Sequence, residues 1–133
     1  MLSAKAVVIS FICIVFSYQV EASTLQCKSS FPYDYFTATI DDNEGYFELK
    51  DAKVRVGYAT ANNLSCVGSN VKSKTSCVGH WFNLPDFVVE FQIEEIDGKL
   101  IGVISNLKKG KFTTDPDEKI AIGEGMKFDC NVE

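Results

Sequence analysis

The chain has 133 residues, 46% apolar and 12% aromatic, with 18 acidic against 13 basic side chains and five cysteines. That apolar content offsets the entropy of ordering and excludes a disordered polymer, while the length excludes a multidomain enzyme. A net charge of −5 is no electrostatic match for nucleic acid or for an anionic membrane surface.

Lys5 precedes a mostly apolar stretch from Ala6 to Tyr18, and Val20-Glu21-Ala22 then presents a V-x-A pattern before Ser23. This is the layout of a secretory signal peptide, too short for a bilayer span, and cleavage is expected after Ala22. Cys13 leaves with the peptide. Processing removes one Lys and one Glu, keeps the net charge at −5 and leaves residues 23–133 as a single domain with no integral membrane span.

Within that domain Val, Ile, Phe, Tyr and Thr recur in short runs between turn residues, which predicts an all-β fold. A first strand is expected over Tyr33 to Ile40, with Phe36, Ala38 and Ile40 on one face, followed by a turn at Asp41-Asp42-Asn43-Glu44-Gly45. Tyr46 to Lys50 and Lys53 to Thr60 read as the next two strands, the second with Val54, Val56 and Tyr58 alternating with Lys53, Arg55 and Gly57. Thr60 to Ser76 is small and polar and reads as a connection.

The clearest pattern runs from Phe87 to Ile104, where Phe87, Val89, Phe91 and Ile93 alternate with Val88, Glu90, Gln92 and Glu94. Asp97-Gly98 favours a type I′ turn, since both central positions need positive φ, and that register places Ile93 opposite Gly102 and Phe91 opposite Ile104. A turn at Asn106 to Gly110, a short strand at Lys111 to Thr113 and an acidic loop at Asp115 to Glu118 follow. Lys119 to Ile122 and Met126 to Cys130 complete the sheet. Seven to nine such strands predict a small antiparallel β-barrel or β-sandwich, and periodicity leaves both open.

Cys27, Cys66, Cys77 and Cys130 remain after processing, an even number in an exported chain, which reads as two disulfides with three connectivities open. The expected pairing is Cys27–Cys130, joining the two ends of the domain, and Cys66–Cys77, closing a local loop. No pair has the close C-x-x-C spacing that zinc sites favour.

Catalytic apparatus is not in view. His80 is the only histidine, and no G-x-S-x-G elbow, P-loop or zinc-protease helix occurs. Glu90 and Glu94 fall on the solvent face of their strand, while Glu94 and Glu95 point to opposite faces, so paired-carboxylate chemistry is not expected. The acidic runs lack the spacing of an EF-hand calcium loop. Neither a metal nor another cofactor is expected.

Two segments suit recognition. The disulfide-clamped stretch carrying Asn70, Lys72 and Lys74 loses little entropy on binding, and His80-Trp81-Phe82 offers aromatic anchors unless Trp81 and Phe82 belong to the core. Asn63-Leu64-Ser65 fits the N-glycosylation sequon. The expectation is a secreted or periplasmic, non-enzymatic binding domain that recognises a protein or cell-surface partner, as an inhibitor or effector. The alternative is a small-molecule or lipid carrier whose interior is lined by Phe36, Val56, Phe91 and Ile104.

Overall fold

The structure, a computed structural model, describes residues 23–43, 46–69, 74–111 and 119–133. Residues 1–22, where a signal peptide is expected, Asn70, Lys72, the tip of the predicted turn at Glu44-Gly45 and the stretch from 112 to 118 lie outside them.

Eight strands are present among the described residues: β1 (Ser23–Lys28), β2 (Tyr35–Asn43), β3 (Tyr46–Val56), β4 (Ala59–Ser69), β5 (Lys74–Trp81), β6 (Leu84–Ile96), β7 (Lys99–Lys108) and β8 (Lys127–Val132). Each pairs antiparallel with the next, and β1 pairs with β8, so the sheet closes into a barrel rather than splitting into a sandwich. Closure satisfies the backbone of both outermost strands and removes the edges that an open sheet would expose. Up-and-down order also sorts the connections. Those joining β1–β2, β3–β4, β5–β6 and β7–β8 leave from one end of the barrel, and the other three leave from the opposite end beside both ends of the domain.

The period-2 pattern decides what lies inside. Phe36, Ala38 and Ile40 of β2 are buried, as are Phe87, Val89, Phe91 and Ile93 of β6, while Glu90, Gln92 and Glu94 face outward. The β6–β7 hairpin has the register that its turn predicts. Asp97 (φ 53°) and Gly98 (φ 80°) both adopt positive φ, Ile93 pairs with Gly102, and Phe91 pairs with Ile104.

Aromatic rings fill the interior. Phe36 and Phe91 stack with centroids 4.1 Å apart, and Phe128 meets Phe91 edge-on at 5.2 Å. Gly102 makes room for this cluster, because a Cβ there would stand 2.3 Å from Phe91 Cζ. Pairing large side chains against small ones is how an eight-stranded barrel fills its tapering interior without voids.

Several sequence expectations are corrected. The first strand is β1, whose inward Leu25 and Cys27 are fully buried, and the second starts at Tyr35 because Tyr33 belongs to the preceding turn. The two strands expected over 46–60 are one, β3, bulged where the register slips between Thr37 and Thr39 of β2. Asp51 (φ 53°) absorbs the extra residue, and Asn63 (φ 54°) sits at a second bulge in β4. Asp and Asn tolerate this left-handed conformation better than other side chains. Gly57 then turns the chain, so Tyr58 leaves the face of Val54 and is exposed. The polar stretch 60–76 is mainly strand, β4 running into β5. Lys119 to Ile122 forms no ladder beyond a single bridge from Ile120 to Gly110.

Both disulfides have the expected pairing, but both span neighbouring strands. Cys27 is directly opposite Cys130 on β1 and β8, and Cys66 is directly opposite Cys77 on β4 and β5. The first fastens the seam at which the barrel closes. That ladder has only four residue pairs, extended by reciprocal backbone bonds between Thr24 and Glu133 at 3.0 and 2.8 Å. The second staples a hairpin rather than clamping a loop.

Candidate partner-binding surface

The structure separates the residues that the sequence groups together. Lys74 is exposed at the start of β5, at the end of the barrel opposite His80, Trp81 and Phe82. His80 faces solvent at a shallow groove of about 420 Å³ lined by Asn62, Asn63, Ser65, Val78 and Val88. Trp81 is corrected from surface anchor to interior residue. It is 1% exposed, and its Nε1 donates to Asn106 Oδ1 at 3.1 Å. Alternation explains the split, since Trp81 follows Thr75 and Cys77 on the inward face of β5. Phe82, one residue on, sits in the β5–β6 turn and is 65% exposed.

Phe82 has aromatic company at its end of the barrel. Phe31 and Tyr33 in the β1–β2 connection are 62% and 71% exposed, and Tyr58 in the β3–β4 turn is 100% exposed. Three successive connections at one end each present rings to solvent, where turns are usually polar. These connections are tied to one another. Asp34, buried beneath them, accepts from the Gly57 backbone N–H at 2.9 Å and from Ser29 Oγ at 3.4 Å, and Phe82 N donates to Thr60 O at 2.6 Å. Phe31 N in turn donates to Ser29 Oγ at 3.0 Å. The rings are therefore carried on turns whose backbone positions are set before anything binds.

Sequence reasoning found Phe82 but not Phe31, Tyr33 or Tyr58. The signal was present in Phe31-Pro32-Tyr33-Asp34 and in Gly57-Tyr58, where rings stand beside turn-forming residues. Tyr58 was hidden because strict alternation assigned it to the face of Val54 and Val56.

A polar network closes the same end of the barrel from inside. Buried Asn106 accepts from Trp81, donates from Nδ2 to Ile122 O at 2.8 Å, and donates its backbone N–H to Glu124 Oε1 at 2.8 Å. That backbone bond holds the Glu124 carboxyl below its ordinary pKa. Partial burial opposes the shift, while Asn106 Nδ2 at 3.2 Å and the Lys109 charge assist it. Glu90 lies on the outer wall, where its carboxylate accepts from Ser76 Oγ and from Gln92 Nε2. No cluster of three or more His, Cys, Asp or Glu side chains suited to a metal occurs among the described residues.

No helix among the described residues is long and apolar enough to cross a membrane. The barrel itself has its apolar side chains inward and Lys53, Glu94, Lys127 and Asp129 on its exposed wall, the reverse of the pattern that lipid-facing strands require. Comparison with known proteins adds no relative: no family model, curated protein or solved structure matches the chain significantly.

Proposed function

We propose that this chain is an exported, non-enzymatic binding domain that contacts a protein or cell-surface partner through the aromatic end of the barrel, acting as an inhibitor or effector. The observation that carries this reading is the set of Phe31, Tyr33, Tyr58 and Phe82, exposed together on connections that hydrogen bonds hold in place. Exposed rings cost solubility without adding to the core, and aromatic anchors dominate binding energy at interfaces. Turns fixed in advance lose little entropy when a partner arrives. Export is supported by the signal layout of residues 1–22 and by the two disulfides, which persist in oxidising compartments and suit a secreted or periplasmic location.

The carrier alternative draws little from the interior. Phe36, Phe91 and Ile104, expected to line a ligand cavity, are fully buried against one another's neighbours, and the Phe36, Phe91 and Phe128 rings are in contact. Replacing Tyr58 and Phe82 with Ser tests the leading reading. Crosslinking to the native cell surface should fall sharply in this variant and persist in Lys74→Ser at the opposite end. Unchanged capture by a folded Tyr58→Ser/Phe82→Ser protein would refute the assignment.

A further inference from the structure

We infer that two copies of this chain associate through a free edge of β4, pairing about a two-fold axis toward the end of the barrel opposite the aromatic rings. The sheet closes around its circumference, yet the β3–β4 ladder stops short, at the pair Ala52–Leu64, beside Asp51 and Asn63 with their positive φ. Beyond that pair, among the described residues, β3 continues to Tyr46 in register with β2 alone and β4 continues to Ser69 in register with β5 alone. From Ser65 to Ser69, β4 therefore has one edge in a ladder and one outside any, and such an edge is a template for another strand. The hairpin disulfide shows which backbone groups it offers. Cys66 and Cys77 are directly opposed with Cα atoms 3.9 Å apart, the close approach of a pair that exchanges no backbone hydrogen bonds. The N–H and C=O of Cys66, and by alternation those of Gly68, thus point away from β5 toward the free side.

The residues along the edge select a second copy as its occupant. Ser65-Cys66-Val67-Gly68-Ser69 reads alike in both directions about Val67, with a serine at each end and a small residue at each intermediate position. Antiparallel pairing centred on Val67 sets Ser65 opposite Ser69 of the second copy, Cys66 opposite Gly68 and Val67 opposite itself. Each of the two Cys66–Gly68 pairs then exchanges both of its backbone hydrogen bonds, and the Val67 side chains meet at the closely spaced pair between them. Val67 is 72% exposed, a β-branched side chain suited to a cross-strand partner. The edge has none of the charges or prolines that deter strand addition, whereas β3 presents exposed Glu48, Lys50 and Asp51 on its own side. A contact of this symmetry closes at two copies.

Sedimentation equilibrium of the disulfide-bonded protein tests this. The average mass should rise from monomer toward dimer over a concentration series reaching ~1 mM, which populates even a weak interface. Added salt should leave the dimer intact or strengthen it, because the edge is uncharged and screening relieves the repulsion between two chains of net charge −5. Val67→Lys places like charges directly opposite one another and should weaken dimerisation about tenfold or more. Gly68→Pro removes a donor from the free side without touching the β5 ladder and should have the same effect. Circular dichroism establishes that each variant is folded, and Val67→Lys, at an exposed position, decides the matter if Gly68→Pro is not. A protein that is monomeric throughout the series overturns the inference. A dimer that survives Val67→Lys, or that is abolished by Tyr58→Ser/Phe82→Ser instead, also overturns it, the latter result placing self-association at the aromatic end.

Discussion

Removing the seam disulfide by Cys27→Ala/Cys130→Ala should destabilise the protein more than removing the hairpin disulfide by Cys66→Ala/Cys77→Ala. The bonds close chain segments with sequence separations of 103 and 11 residues. Loop-closure entropy then assigns about 4.7 kcal/mol to the first and about 2.8 kcal/mol to the second at 25 °C, a difference of about 2 kcal/mol. Local terms largely cancel in this comparison. Each pair is directly opposed on antiparallel neighbours with Cα atoms 3.9 Å apart, and each includes a fully buried sulfur-bearing residue. Equilibrium urea unfolding at fixed pH measures both variants against the parent. For m-values of ~1–3 kcal/mol/M the seam variant should have the lower midpoint by about 0.7–2 M. A seam variant already unfolded in buffer meets the expectation if the hairpin variant is folded. Equal losses, or a greater loss for the hairpin pair, would refute the entropic reasoning and mean that the β1–β8 ladder holds the barrel closed without its crosslink.

Three further outcomes test the interior and the end network. Gly102→Ala should cost about 1–3 kcal/mol because the new Cβ meets Phe91. Most of that penalty should vanish in a Phe91→Leu background, which a double-mutant cycle in urea would show. Asn106→Ala leaves Trp81 Nε1 and Ile122 O without their shared partner, so stability should fall by about 1–3 kcal/mol. The emission of Trp81, the sole tryptophan, should shift to the red in the same variant. Glu124 has a lowered folded-state pKa, so its contribution is complete above the unfolded value of about 4.3 and is lost as pH falls through the folded value. Unfolding midpoints measured across acid pH should therefore decline less steeply for Glu124→Gln than for the parent, and identical slopes would count against the role given to Asn106.

The β6–β7 hairpin was legible from residues alone because every local feature agreed: strict alternation, an Asp-Gly turn and a register that buries one face. The disulfide pairing agrees with the expectation, but four cysteines leave three connectivities open, and it is the β1–β8 and β4–β5 registers that set Cys27 opposite Cys130 and Cys66 opposite Cys77. Elsewhere a local signal lost to a tertiary one. The small polar composition of 60–76 resembles a loop, yet pairing with β3 and β6 on either side makes it strand. Trp81 and Phe82 are adjacent and chemically alike, and only the phase of β5 sends one inward to Asn106 and the other into solvent.

The sequence by itself determined the all-β class, the inward faces of β2 and β6 and the net charge, because each depends on composition or on neighbours within a few residues. Tertiary structure decided that the sheet closes, because closure requires β1 to meet β8 across nearly the whole chain. It also decided which rings share a surface, since Phe31, Tyr33, Tyr58 and Phe82 are distant in sequence and meet only because up-and-down order returns alternate connections to the same end.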